Sequence, residues 1–410
     1  MKEPEATMYY QQGMAHRMRR KMEDMLFGIP FQSLPSLIPG LFLAFLIWYF
    51  SEGLSNFVGK SLMGLKSSPI STIMLTIVIG LLLRNLISLP SALVPGASFC
   101  LKKLLRLGII LLGIRLSFFD VLKIEAIGIP VVLICITTGL IASTYATRLL
   151  RLPGRLGTLI AVGTGICGAS AIVATAPTIE ATEEEVTYAV ANITLFGVLA
   201  MFLYPYLADI IFTGNQILAG LFLGTSIHET AQVAGGGIMY DQYLASKSAA
   251  ALATAWGASA PHGSDVAIVT KLTRNAFIAV VIPIMAFYYA KKNSHPGQKV
   301  RFSRKYFPFF ILGFLFLAGF RTVGEMTLGG PGKMALGVMD AAQWKYLVEQ
   351  AGNLGGIFLA VAMAGVGLGT SFRNLKSLGI KPFFIGILTA IAVGAVSLIA
   401  TFMLGPYINF

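Results

Sequence analysis

A chain of 410 residues that is 56% hydrophobic and only 12% charged, with a mean hydropathy of +0.76, is excluded from the class of soluble globular domains. Its net charge of +13 would suit a nucleic-acid partner, but the basic residues gather between apolar segments in a way that speaks for membrane topology instead. Cys100, Cys135 and Cys167 lie in or beside apolar runs and have no spacing that suggests a disulfide framework or a metal site.

Residues 1–36 are Met-rich and basic and lack a long apolar core, so they do not fit a signal peptide. They read as a cytosolic arm, either carrying an interfacial helix from Met14 to Phe27 or disordered. Residues 37–410 read as one transmembrane domain, and the fold class is an all-α polytopic membrane protein. The spans fall at 37–58, 69–84, 104–119, 124–147, 156–177, 186–212, 216–236, 264–290, 306–322, 344–370 and 382–406. Most approach or exceed the roughly 20 residues needed to cross a bilayer; the second and third do so only with their polar ends included.

Sorted by alternate sides of these spans, 21 of the 31 lysines and arginines fall on one side and seven on the other, with Arg115, Lys271 and Arg274 inside spans. The basic side holds the N-terminal arm and the clusters around Arg84–Arg106, Arg148–Arg155, Lys291–Lys305 and Arg373–Lys381. That asymmetry predicts a cytoplasmic N-terminus and an external C-terminus. The acidic run of Glu180, Glu183, Glu184 and Glu185 falls at the external end of the fifth span, as a solvated loop. The Ala-rich stretch 238–263 reads as an external excursion with a short helix over the mouth.

Eleven spans divide into one leading helix and two sets of five, and an odd number per set makes them inverted repeats. Three internal echoes bear on the register. Lys103-Leu104-Leu105-Arg106 resembles Lys271-Leu272-Thr273-Arg274, pairing the third span with the eighth. Gly113–Phe118 resembles Gly367–Phe372, pairing the third with the tenth. Gly-Thr-x-Ile, at 163–166 and 224–227, pairs the fifth with the seventh. These cannot all belong to one repeat.

Two glycine-broken stretches carry the chemistry. Gly163-Thr164-Gly165-Ile166-Cys167-Gly168-Ala169-Ser170 and Gly224-Thr225-Ser226-Ile227-His228-Glu229-Thr230-Ala231-Gln232 sit where hydropathy asks for a spanning helix. Backbone unwinds at membrane depth only where it is buried in protein or lines a wet cavity. Broken helices are how secondary transporters build midplane sites. Candidate substrate-binding residues are Gly163, Thr164, Cys167, Gly168, Ser170, Thr225, Ser226, His228, Glu229 and Gln232. His228 and Glu229, an adjacent ionisable pair within a span, are also the candidates for coupling. Lys271, Arg274 and Arg115 are candidate anion partners, because guanidinium and ammonium groups bind oxyanions; snorkelling to the headgroups is the competing reading.

The segments GTGICGASAIVATAP (163–177), GTSIHETAQV (224–233), KLTRN (271–275), LLRLGIILLGIRLSFFDVL (104–122) and AMAGVGLGTSFRNLKSLGIKP (362–382) resemble the YeiH family of bacterial membrane proteins, described as sulfate exporters. The resemblance covers about 37–410. It implies a fold related to the bile-acid-symporter and sodium–proton-antiporter group, with core and panel domains, and a sulfur oxyanion as substrate. The long arm and the 238–263 insert depart from the family pattern.

The function expected from these features is secondary active transport of a small anion, sulfate or a sulfonate such as taurine, across a bacterial inner membrane. The coupling ion is a proton or sodium; no cofactor, metal or nucleic acid is expected, no P-loop is present, and homo-oligomerisation is left open. A passive anion channel and an intramembrane hydrolase built on Ser170 and His228 are the alternatives.

Overall fold

The computed structural model describes residues 31–62, 68, 71–247, 261–292, 310–328, 334–371 and 380–404. The N-terminal helix read at Met14–Phe27, residues 248–260 of the Ala-rich stretch, and the basic clusters from Lys299 to Lys305 and at Arg373 and Lys376 lie outside the described residues. Among the described residues the chain is helical almost throughout. Seven helices are long and apolar enough to cross a membrane: 33–56, 118–149, 183–212, 263–289, 310–328, 341–369 and 381–404.

The helices pack as two layers. One layer contains α1 (Ile38–Asn56), α2 (Thr72–Leu86), and α3 (Val94–Phe99), which runs through a wide turn into α4 (Leu105–Leu112). It is completed by α13 (Phe310–Leu328) and α14 (Ala341–Gly369). The other layer contains α5 (Phe118–Leu149), α6 (Gly154–Gly165), α7 (Ala169–Thr175), α8 (Glu183–Phe212), α9 (Gln216–Ser226), α10 (Thr230–Lys247), α11 (Gly263–Ala276), α12 (Ile278–Lys292) and α15 (Ile380–Leu404). An apolar seam joins them, with Ile73, Ile77, Leu359 and Met363 against Ala231, Ala234 and Met201.

Local sequence sets the helix starts. Ser117 with Asp120, Thr182 with Glu185, and Asp340 with Gln343 form reciprocal capping boxes at α5, α8 and α14. The Asn215 side chain accepts the amides of Ile217 and Leu218 at 3.1 Å and starts α9, just after the left-handed turn at Thr213 and Gly214.

The expected eleven apolar segments are present, and two of them turn back on themselves. From Gly157 to Gly165, α6 runs antiparallel to α5: Ser143 Oγ donates to Gly157 O at 2.7 Å, and Gly165 lies against Ile136 and Gly139. The chain then reverses. Ile172 of α7 packs on Gly163, Ala176 and Ile179 cluster with Leu156 and Leu159, and Arg155 pairs with Glu180 at 3.5 Å. Residues 154–180 are therefore a hairpin whose two ends lie at the same end of the bundle.

The second break does the same from the opposite end. Gly220 and Gly224 lie against Gly263–Val266 and Ala267–Thr270, so α9 runs parallel to α11 with backbones too close to admit a Cβ. α10 runs antiparallel to α11: Asn275 Nδ2 donates to Thr230 Oγ1 at 3.0 Å, while Gly237 meets Ser264 and Asp241 accepts the Ser264 amide. Gln216 Oε1 accepts the Gly263 amide at 3.1 Å, placing the start of α9 level with the start of α11. The long helix α8 separates the hairpins, so they enter from opposite ends.

Three expectations change accordingly. The fifth and seventh spans do not pass through, because half-helices of 12 and 11 residues reach only about 18 and 16 Å each. Glu180 and Glu183–Glu185 lie with Arg155 at the basic end rather than at the external one. Residues 238–247 of the presumed insert simply continue α10. Of the three internal echoes, Gly-Thr-x-Ile is the one that falls at the two breaks.

Candidate functional site

The hairpin tips meet in the middle of the second layer. At the first tip Gly168 has φ +75, a left-handed value that releases the chain from α6 into α7. A Cβ built there would stand 3.2 Å from Glu229 Cβ, so the missing side chain lets the two tips touch.

Ending a helix in a membrane interior leaves its last carbonyls without partners, a cost of several kcal/mol for each group in hydrocarbon. Two side chains of α11, one turn apart, supply the donors. Lys271 Nζ donates to Ile166 O at 2.8 Å on the first tip, and to Ile227 O at 3.0 Å and His228 O at 2.6 Å on the second. Arg274 Nε donates to Gly165 O at 2.7 Å, Nη1 to Thr225 O at 2.8 Å and Ile227 O at 3.3 Å, and Nη2 to Thr164 O. Both side chains are fully buried. Equivalent positions of the Gly-Thr-x-Ile echo are served alike: Arg274 takes both threonine carbonyls, and Lys271 takes both isoleucine carbonyls.

The candidate residues divide by what their side chains do. Thr225 donates to Leu221 O and shares a 2.6 Å bond with Ser397, and Ser226 donates to Phe222 O. Both hydroxyls are buried and committed to helices. Gln232 accepts the Glu229 amide and donates to Thr194 O, acting as a cap and strut. Gly163 is a packing position under Ile172 and Ile193. Thr164 is buried with its hydroxyl unpartnered among the described residues. The His228 ring is also buried, with Nδ1 3.2 Å from Ser226 O and Nε2 without a partner among the described residues.

Cys167 is buried beside the first tip, whereas Ser170 is exposed and Glu229 and Thr230 are partly exposed. Lys271 donates to the carbonyl of His228, the residue before Glu229.

The three basic candidates do not form one set. Lys271 and Arg274 reach both tips, but their donors are engaged by backbone carbonyls rather than left open to an anion. Arg115 is elsewhere. It lies 3.9 Å from Asp265, near the start of α11, and Nη2 donates to Gly352 O at 3.3 Å. Six residues of helix, about 9 Å, separate Asp265 from Lys271. Asn275 and Ser397 brace the second tip but are not among the residues singled out from the sequence, because a neutral polar side chain in a helix gives no signal of the distant contact it makes.

Opposed hairpins within a bundle of long apolar helices define a multi-pass membrane protein with a discontinuous centre. The chain belongs to the family whose model is described as Conserved hypothetical protein 698, matched over residues 39–386, in agreement with the resemblance in its motifs. Its relatives include UPF0324 membrane proteins of Corynebacterium glutamicum, 32% identical over 82% of this chain and 86% of the relative, and of Fusobacterium nucleatum, 31% identical over 82% and 90%. Another, from Streptococcus pyogenes, is 31% identical over 91% of this chain and 98% of the relative.

Proposed function

We propose that this protein is a secondary active transporter of a small anion, with its cargo site at the hairpin tips. The observation that carries this reading is the charge balance there. Lys271 and Arg274 bring two buried basic groups to the tips, against the single acidic group of Glu229. A buried excess of positive charge favours an anionic cargo. Tips that enter from opposite ends suit alternating access, since moving one layer past the other exposes them to each side in turn. A sulfur oxyanion, sulfate or a sulfonate, is the cargo class we favour.

The protein would lie in a bacterial plasma membrane with its basic end in the cytoplasm, and Glu229, partly exposed beside Lys271, would carry the coupling proton. A hydrolase would need Ser170 within hydrogen-bond reach of His228. The full burial of the His228 ring and the direction of its Nδ1 towards Ser226 O argue against that role.

Solid-supported-membrane currents from proteoliposomes, screened over sulfate, sulfonates and dicarboxylates, test the reading. A saturable current with counter-flow is expected. Non-saturable conductance would make the protein a channel, and silence across the anions would remove the anion assignment.

A further inference from the structure

We infer that Lys271 is a resident cation: its ammonium fills, permanently and from within the chain, the place a monovalent coupling cation would take between the tips. Three carbonyl oxygens surround Nζ at 2.6–3.0 Å, those of Ile166, Ile227 and His228, and they come from both breaks. Unwound carbonyls converging from discontinuous helices are the ligand type that binds sodium in transporters. Here the same ligand type converges on a nitrogen. Three acceptors match the three N–H groups of an ammonium, whereas a neutral amine has two.

Five neighbouring carbonyls also face donors or polar groups. Arg274 holds those of Thr164, Gly165 and Thr225, the Gly168 amide holds that of Gly163, and Ser226 O faces His228 Nδ1. The consequence is an answer to the coupling question raised by the sequence: sodium has no carbonyl cage to enter at the tips while Lys271 is in place. Removing the side chain beyond Cβ leaves that cage with its ligands intact. Its N···O separations suit ammonium and potassium better than the smaller sodium ion.

The inference rests on the tip geometry and deepens the transport reading, so its test is made on binding. The thermal midpoint of the purified protein is measured in choline, sodium, potassium and ammonium chloride at constant ionic strength, for the wild type and for Lys271→Ala. The wild type is expected to be indifferent to the cation. The variant should lose roughly 5 °C or more in choline and regain at least half of that saturably, in the order ammonium, potassium, sodium. A saturable stabilisation of the wild type by sodium overturns the inference without recourse to any variant. So does a variant that behaves alike in all four salts, whether equally stable or equally unfolded. Anion currents of the wild type in sodium-free choline medium are recorded separately. Their absence under every gradient would count against the transport reading, while the cation titration would still decide the role of Lys271.

Discussion

Lys271 and Arg274 act as donors to backbone before they can act on anything else. Arg274 spans two tips because a guanidinium offers five N–H groups in a fixed plane. Arg274→Met would strand the carbonyls of Thr164, Gly165 and Thr225 in a dry interior, at about 1–3 kcal/mol each. We expect a large drop in thermal midpoint, and Arg274→Lys should recover only part of it, because Arg274 also donates to Ile227 O and an ammonium has three donors for those four carbonyls. An unchanged midpoint in both variants would show that the tips hold without it.

Glu229 is the residue whose loss should alter coupling rather than folding. Glu229 is half-buried as a residue, and the Gln232 contact that organises the turn uses the Glu229 backbone amide, not its side chain. Glu229→Gln should flatten the pH dependence of transport while anion exchange continues, since exchange moves no net proton. A pH profile identical to that of the wild type would remove Glu229 from coupling. Thr225 and Ser226 are expected to behave differently from binding residues, because their hydroxyls bond helix carbonyls and Ser397.

At the scale of elements, the hairpins make a directional prediction about accessibility. Single cysteines at Arg155 and Glu180 should be modified by an impermeant thiol reagent from the same face of the membrane, because those residues pair at 3.5 Å. Opposite-face labelling would restore a through-going fifth span. The two half-helices α6 and α9 owe their stability to enclosure: α6 is buried throughout from Leu159 to Gly165, and α9 is buried at every residue but Leu218. Glycines at 220 and 224 allow α9 and α11 to approach closely, which brings Lys271 and Arg274 within reach of the tips.

At the scale of the whole molecule, α10 rides on the seam between the layers, where Gly235 lies close to Ile73 and Met363. If transport needs one layer to slide past the other, a cross-link between Ile73→Cys and Gly235→Cys should abolish turnover, and reduction should restore it. Full activity in the cross-linked protein would mean that the seam does not move.

Much of this protein was legible in its sequence. Apolar length is a local property, and it placed the helices. Glycines beside hydroxyls and ionisable groups marked both breaks, and the motifs there marked the family. What lay beyond reach was the direction of the chain after each break. A segment of 27 residues from 154 to 180 has the composition for one crossing or for two half-crossings, and hydropathy is the same for both. The choice is made by Arg155 against Glu180, and by α5 and α11 against the half-helices, contacts between residues far apart in the chain or across its turns. The same holds for Lys271 and Arg274. Sequence placed two cations within an apolar segment, but only the tertiary structure supplied the six carbonyls they meet, because unpaired backbone groups exist only where the folded chain breaks its own helices.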